Sequence, residues 1–118
     1  MVHFFKLKKR HVLILRFVLH YGIHLLLPGV FAWVFFKNRW KQAWLLMLGT
    51  MIIDIDHLLA IPIFDANRCS LGFHPLHTWP FIILYFSFLF IPNIYVRIIG
   101  LGLVIHMFAD LIDCLFIL

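Results

Sequence analysis

Four long apolar stretches, separated by short polar breaks, constrain this chain more than any other feature. They lie at about residues 11–36, 42–63, 79–94 and 98–118. A helix needs about 20 apolar residues to cross a bilayer. With 64% hydrophobic and 13% charged residues, the chain differs from soluble domains, which are about 45–50% apolar and 25% charged. We expect an all-α integral membrane protein: one domain over residues 1–118, forming an up-down bundle of four transmembrane helices with an irregular loop between the second and third.

Basic residues lie mainly at the ends of the apolar stretches. The net charge of +5, distributed in this way, suits anionic membrane lipids rather than nucleic acid as partners. The first stretch follows a basic segment, as in a signal peptide, but it is too long for a signal sequence, so we expect it to be retained as a span. A small excess of basic residues on the N-terminal side predicts that both termini are cytoplasmic.

Four of the five acidic residues lie inside the apolar stretches: Asp54, Asp56, Asp110 and Asp113. Each carboxylate at the centre of a membrane helix costs about 2.5–3.5 kcal/mol, so four cost on the order of 10 kcal/mol without compensation. Histidines lie within one helical turn of them, since His57 follows Asp56 and His106 precedes Asp110 by four residues. The most economical explanation is a metal ion bound inside the bundle.

In an up-down bundle, polar residues from four segments would reach the same half of the membrane. These are His20 and His24 in the first stretch, Asp54 and His57 in the second, His74 and His77 in the irregular loop, and His106, Asp110 and Asp113 in the fourth. Spacings of three, four and seven residues place each helical set on one face. Asp56 lies about 200° from Asp54 around a regular helix, so it joins them only if the helix is distorted near Pro62.

We therefore predict a divalent metal site. The predicted ligands are Asp54, His57, His77, His106 and Asp110; nitrogen and carboxylate ligands favour zinc, with manganese or iron as alternatives. Asp56 and His24 are the predicted catalytic residues, with Asp56 as a proton acceptor. Four further residues are predicted to support the metal or contact substrate: His20, His74, Arg68 and Asp113. Cys69 and Cys114 could pair, but they form no Cys-x-x-Cys motif, and we favour two unpaired thiols.

The segments Gly22-Ile-His24, Ile53-Asp-Ile-Asp-His57, Gly72-Phe-His-Pro-Leu-His-Thr78 and Gly102-Leu-Val-Ile-His-Met-Phe-Ala-Asp110 resemble, in the same order, four motifs of the LexA-binding, inner membrane-associated hydrolase family. The chain is also similar to small bacterial membrane proteins that share its His-Tyr-Gly and Asn-Arg-Cys-Ser segments. The resemblance implies a metal-dependent hydrolase in the bacterial inner membrane. One difference is that the pair His74 and His77 is more closely spaced than the family's usual histidine pair.

The favoured hypothesis is hydrolysis of an amphiphilic ester or phosphoester at the bilayer interface. Paired aspartates and histidines in a bundle also suit a divalent-cation or proton transport protein. Two histidines on different helices could ligate haem, although the nearby aspartates argue against it. A non-catalytic membrane scaffold, in which the polar pairs only join helices, is a further alternative.

Overall fold

In the computed structural model, which describes residues 2–65 and 67–117, every regular element is a helix. The α-helices are α1 (Val2–Leu25), α2 (Leu27–Phe35), α3 (Trp40–Gly49), α4 (Trp79–Ser87) and α5 (Ile94–Ile117). Short 3₁₀ helices lie between them, at Lys37–Arg39, Thr50–Leu59, Pro75–His77 and Phe88–Phe90. The prediction of an all-α chain is confirmed for the described residues, which contain no strand.

Three helical segments are long and apolar enough to cross a membrane: Lys8–Phe35, Lys37–Leu59 and Ile94–Ile117. The first joins α1 to α2 with a break at Leu26, close to Pro28. Proline has no N–H to donate to the preceding helical turn, which explains the break. Many large apolar side chains on these segments face outward, including Phe17, Leu26 and Leu45, each more than 60% exposed. An apolar outer surface of this kind suits contact with lipid.

In the structure, the third predicted span corresponds to a much shorter helical segment than the other three. Its apolar helical segment, Trp79–Phe90, falls well below the roughly 20 residues needed for a span. This segment follows an irregular loop of residues 60–78 and begins at Trp79, where the apolar stretch begins. It is short because it ends at Phe90, close to Pro92 and before the predicted end at residue 94, since the residue before a proline is disfavoured in a helix. Within the loop, Pro75–His77 lies beside the 3₁₀ helix Thr50–Leu59. The irregular loop predicted between the second and third stretches is therefore present, and it contacts the second helical segment.

The second and fourth predicted helices also differ in detail. The second begins as α3 but continues as a 3₁₀ helix from Thr50 and ends at Leu59, before the predicted end at residue 63. The fourth begins at Ile94 because the side chain of Asn93 accepts hydrogen bonds from the backbone N–H groups of Tyr95 and Val96, which caps the helix. Its predicted last residue, Leu118, lies outside the described residues.

Helix α5 is central to the bundle and packs against α1, α3 and α4. Its contact with α3 is close, since a Cβ added to Gly102 would lie 2.8 Å from Met47 Cα. Ala32, Ala43 and Ile98, each 0% exposed, complete an apolar core with Met47. We call the part of the bundle built on these four residues the apolar half. Small residues permit the close helix approach by which membrane helices pack.

An ion pair and a disulfide connect α5 to α1 and to the loop at the end of the bundle away from the apolar half. The guanidinium of Arg16 on α1 donates to both carboxylate oxygens of Asp113 on α5, at 3.2 Å each. A disulfide joins Cys69 in the loop to Cys114 on α5, with their Cα atoms 4.9 Å apart. The prediction of unpaired cysteines was wrong, because a spacing of 45 residues carries no local signal and only the fold brings the two thiols together.

Candidate metal centre

Four side chains from three segments converge on one point inside the bundle. His106 Nε2 on α5 lies 3.0 Å from Asp54 Oδ1 and 3.2 Å from His77 Nε2. His77 Nε2 lies 3.2 Å from Asp54 Oδ1 and 3.2 Å from Asp110 Oδ2. His106 Nε2 is also 3.3 Å from Asp110 Oδ2. We call Asp54, His77, His106 and Asp110 the central group.

These separations match the edges of a small coordination polyhedron. A tetrahedral zinc ion with ligand bonds of about 2.0–2.1 Å separates its ligand atoms by about 3.3–3.4 Å. Five of the six edges in the central group are 3.0–3.3 Å long. Two nitrogens and two carboxylate oxygens form a ligand set that suits zinc, and also manganese or iron. The four residues could therefore hold a divalent ion with little rearrangement.

The central group is buried, and some of its polar atoms lack partners. His77 is 0% exposed, His106 2% and Asp110 4%. Among the described residues, His106 Nδ1 and Asp110 Oδ2 are buried without a hydrogen-bond partner. An unpaired polar atom in a buried site costs about 1–3 kcal/mol. A cation at the centre would give the Asp110 oxygen the partner that it lacks.

Asp56 lies behind His77 and orients its ring. One carboxylate oxygen of Asp56 contacts His77 Nδ1 at 2.9 Å and accepts the backbone N–H of Leu76 at 2.9 Å. A proton held on Nδ1 by this carboxylate leaves Nε2 free to face the central group, as is usual for metal-binding histidines. Asp56 is 4% exposed, and it does not line the adjoining cavity.

The charge around His77 is strongly negative. His77 Nε2 lies 3.2 Å from both Asp54 Oδ1 and Asp110 Oδ2, and its Nδ1 lies 2.9 Å from Asp56 Oδ2. A protonated nitrogen cannot ligate, so a metal ion bound at His77 Nε2 requires that this nitrogen carry no proton.

The 3₁₀ helix Thr50–Leu59 explains how Asp54 and Asp56 both reach His77. Its tighter winding differs from the regular α-helix from which their separation was calculated. The expected distortion is present, but it covers the whole segment rather than the part near Pro62. The imidazole from the loop lies between the two carboxylates, with Nε2 3.2 Å from Asp54 and Nδ1 2.9 Å from Asp56. The two aspartates therefore need not share a face.

The remaining histidines form two flanking groups. His20 and His24 lie near Asp110 on one side, while His57 and His74 lie near Asp56 on the other. His57, a predicted ligand, is thus placed in a flanking group, where its Nδ1 is 3.0 Å from Asp56 Oδ1 and 3.7 Å from Asp54 Oδ1. The rings of His57 and His74 stack at 3.6 Å.

Arg68 and Asp113 contact none of the ligand atoms of the central group in the described interactions. Arg68 donates to the backbone carbonyls of Pro62 and Ile63, at 2.9 Å each, and its guanidinium lies over the ring of Phe73. Asp113 pairs with Arg16. Both predicted residues nevertheless line the cavity beside the metal centre.

The cavity has a volume of about 470 Å³ and opens beside the central group. It reaches Asp54 and Asp110 of that group, and Asp54 is the more accessible, with 35% of its side chain exposed. Apolar side chains and two arginines form much of the remaining wall: Leu13, Phe17, Tyr21, Ile63, Phe64, Arg16 and Arg68. Its lining thus combines apolar surface, positive charge and potential metal ligands.

Two contributors were missed in the sequence. Arg16 was not predicted as part of the site, although an arginine and an aspartate inside two apolar helices are expected to pair. In the structure Arg16 pairs with Asp113. Tyr85 is 5% exposed and donates its hydroxyl to the backbone carbonyl of Leu76, at 2.9 Å. Its position in an aromatic helix carried no signal, because the accepting carbonyl belongs to a loop.

These features define a helical protein with three segments able to cross a membrane and with buried His/Asp groups able to bind a metal ion. The chain belongs to the DUF6122 family, a family of unknown function, which matches residues 14–117. No curated protein and no solved structure matches the chain.

Proposed function

We propose that this protein is a membrane-embedded, metal-dependent hydrolase that cleaves an amphiphilic ester or phosphoester at the bilayer interface. The observation that carries the proposal is the central group, in which five of the six pairs of ligand atoms lie 3.0–3.3 Å apart beside a cavity. Zinc suits this set best, and manganese or iron are alternatives. The resemblance of the four motifs to an inner membrane-associated hydrolase family supports the same activity and a bacterial inner membrane location.

A bound divalent cation would polarise the substrate oxygen and lower the pKa of water toward 7. The chain itself supplies the groups that orient the site and move protons. Asp56 positions His77 through Nδ1, so its role becomes positioning rather than the predicted proton acceptance. His57 lines the cavity and contacts the other oxygen of Asp56 at 3.0 Å. A histidine held by a carboxylate is a suitable general base, and we assign proton acceptance to His57.

The cavity lining supports an amphiphilic substrate. Phe17, Ile63 and Phe64 offer apolar surface to an acyl or prenyl chain, while Arg16 and Arg68 place positive charge at the same cavity. Arginine recognises phosphate and carboxylate groups through its planar set of donors. A lipid with an anionic headgroup fits both parts of the lining.

We further propose four passes through the bilayer, the third made by loop 60–78 together with Trp79–Phe90. Irregular backbone is tolerated at membrane depth where protein buries it. His77, which is 0% exposed, lies in this loop, and Asp56 accepts the backbone N–H of Leu76. These contacts satisfy loop groups that lipid could not.

The disulfide bears on the orientation of the bundle. The basic residues predict cytoplasmic termini, but Cys69 and Cys114 lie on the same side as the termini, and disulfides persist mainly in oxidising compartments. The disulfide therefore favours an orientation in which both termini lie on the extracytoplasmic side of the membrane. After reduction in intact cells, a membrane-impermeant thiol reagent should label both cysteines. Labelling only after the cells are opened would support cytoplasmic termini instead.

The apolar half argues against transport as the main function. Ala32, Ala43, Met47 and Ile98 are tightly packed between α2, α3 and α5, so an ion entering the central group meets a closed apolar core beyond it. Proteoliposomes test this directly. Metal uptake into the proteoliposomes without hydrolysis would favour a transport protein, whereas hydrolysis without metal uptake supports the proposal.

The activity test uses detergent-purified protein, saturating zinc or manganese, and a panel of lipid esters and lipid phosphates. We expect hydrolysis by the wild type and a loss of at least about 100-fold in His106→Ala, because removal of a ligand exceeds the 10–100-fold effect of changing its support. His11→Ala is the matched control, since His11 is exposed on α1. Equal activity in His106→Ala and the wild type, or no activity on the whole panel, contradicts the proposal.

A further inference from the structure

Asp110 faces two groups of histidines with its two carboxylate oxygens. Oδ2 lies 3.2 Å from His77 Nε2 and 3.3 Å from His106 Nε2, within the central group. Oδ1 lies 3.6 Å from His24 Nε2 and 3.9 Å from His20 Nδ1, on the α1 side. A carboxylate that presents one oxygen to each of two ligand sets has the arrangement of a bridge between two metal ions.

The α1 side of Asp110 has the properties of a ligand set. His20 and His24 are one turn apart, and their Nε2 atoms face each other at 3.1 Å. The side chain of His24 is 1% exposed, and His20 Nδ1 is buried without a hydrogen-bond partner. The contact between the two Nε2 atoms uses one proton and one lone pair, so the nitrogen left unmatched is His20 Nδ1, 3.9 Å from Asp110 Oδ1. A cation would use the nitrogen that the protein leaves unmatched.

We propose that His20, His24 and Asp110 hold a second divalent cation, with the Asp110 carboxylate bridging it to the ion in the central group. The role of this second ion in hydrolysis rests on the proposed function, whereas its binding does not. Metal pairs held by histidines and bridging carboxylates are a known use of helical-bundle interiors.

The two sites differ in how many ligands the protein supplies. The central group offers four ligand atoms, so an ion held there would bind water or a substrate oxygen by expanding to five-coordinate, as zinc can in the transition state. The second site offers three, and catalytic zinc sites typically have three protein ligands and an open position. His20 and Asp110 both line the cavity, so this open position is accessible to a substrate oxygen. Paired metal ions about 3.5–4 Å apart are typical of phosphoester hydrolysis, which narrows the substrate class to an amphiphilic phosphoester.

The flanking group of Asp56, His57 and His74 gives no comparable evidence for a bound cation. Both oxygens of Asp56 already have partners, in His57, His77 and the backbone of Leu76. The rings of His57 and His74 lie stacked against each other at 3.6 Å. The Asp56 carboxylate therefore has hydrogen-bond partners without a cation. On the α1 side of Asp110, by contrast, His20 Nδ1 has no hydrogen-bond partner among the described residues.

The first test is metal content. The purified protein is saturated with zinc, passed through a desalting column, and analysed for zinc per chain. We expect two ions in the wild type, two in His11→Ala, and one in the double variant His20→Ala, His24→Ala. One ion in the wild type, or two in the double variant, would overturn the second site. His11 is the matched control because it lies on the same helix and is exposed.

A second measurement needs no variant and remains informative if the double variant fails to fold. Wild-type protein is titrated with Mn²⁺ and followed by electron paramagnetic resonance. A carboxylate-bridged pair should give an exchange-coupled spectrum as the second equivalent binds. Two independent six-line signals, or saturation at one equivalent, would contradict the bridge.

The same preparations separate this inference from the proposed function. Two coupled ions without hydrolysis of any lipid phosphate would support the second metal site and contradict the proposed hydrolase activity. One ion with measurable hydrolysis would support the hydrolase activity and contradict the second metal site. Hydrolysis of lipid phosphates with two ions, reduced at least about 10-fold in the double variant when one ion remains, supports both, since a bridging partner ion stabilises charge on the substrate.

Discussion

The two halves of this bundle are held together by different forces. The apolar half joins α2, α3 and α5 through small or close-packed side chains, with Ala32 and Ala43 both 0% exposed. The polar half, which contains the central group and its two flanking groups, joins α1, the 3₁₀ helix Thr50–Leu59, α5 and the loop through charged and imidazole contacts. Because lipid tails are as apolar as the helix surfaces, the hydrophobic effect contributes little to the association of membrane helices. Close packing and polar contacts must therefore stabilise it.

The difference implies that stability and metal binding can be separated by mutation. Substitutions in the apolar half should affect the free energy of unfolding and leave the ligand atoms in place. Substitutions in the polar half should affect metal affinity first. Four predictions test this division, in order of decreasing expected effect.

Asp110→Asn should have the largest effect, because it removes the charge that the central group shares with the α1 side. We expect zinc affinity to fall by more than about 100-fold, beyond the range seen for residues that only support a ligand. Isothermal titration with zinc measures it. Asp65→Asn is the control, since Asp65 belongs to none of the three groups. Wild-type affinity in Asp110→Asn would mean that the polar half does not bind metal as described.

Asp56→Asn should weaken zinc binding by about 10–100-fold without abolishing it, because Asp56 orients His77 but is not itself in the central group. The carboxylate lies 2.9 Å from His77 Nδ1, and the neutral amide would hold this ring less firmly. Competition with a chelator of known affinity gives the change. A loss as large as that of Asp110→Asn would place Asp56 among the ligands.

Gly102→Val tests the apolar half. Its Cβ would lie 2.8 Å from Met47 Cα, so we expect a loss of about 1–3 kcal/mol from overpacking. Denaturation in mixed micelles measures the free energy of unfolding, and the folded protein should retain its zinc content. Gly22→Val is the matched control, because no atom lies within 4 Å of a Cβ added there. Equal losses in the two variants would show that close packing at Gly102 is unimportant.

Tyr85→Phe should have the smallest effect, at the boundary between the two halves. It removes the hydroxyl that donates to Leu76 O at 2.9 Å, a hydrogen bond worth about 0.5–1.5 kcal/mol. Thermal unfolding should shift slightly, and zinc affinity should change less than in Asp56→Asn. Tyr95→Phe is a suitable control, since Tyr95 is 47% exposed. A larger effect on zinc than on unfolding would mean that Tyr85 mainly positions His77.

Much of the polar half was predictable from local spacing. His106 and Asp110 are four residues apart on a regular helix, and their ligand atoms lie 3.3 Å apart. The regular-helix assumption failed for residues 50–59, where the 3₁₀ winding changes the direction of each side chain. Because regular winding was assumed, the position of Asp56 was left undecided, and His57 was predicted as a ligand although it lies in a flanking group.

Contacts made by the loop were the least predictable. The pairing of Cys69 with Cys114, the placement of His77 between two aspartates, and the hydroxyl contact of Tyr85 all depend on where residues 60–78 run. A loop has no periodicity from which side-chain directions can be calculated. Its path is determined by contacts with helices distant in sequence.

The sequence by itself determined that this chain forms apolar helices and that buried carboxylates require partners, because composition and the cost of charge in lipid are local properties. Only the tertiary structure decided which partners they find. It brings His77 from the loop to Asp54 and Asp56, and His24 from α1 to Asp110. These distances depend on helix winding and on the path of the loop, and both are decided by packing of the whole bundle.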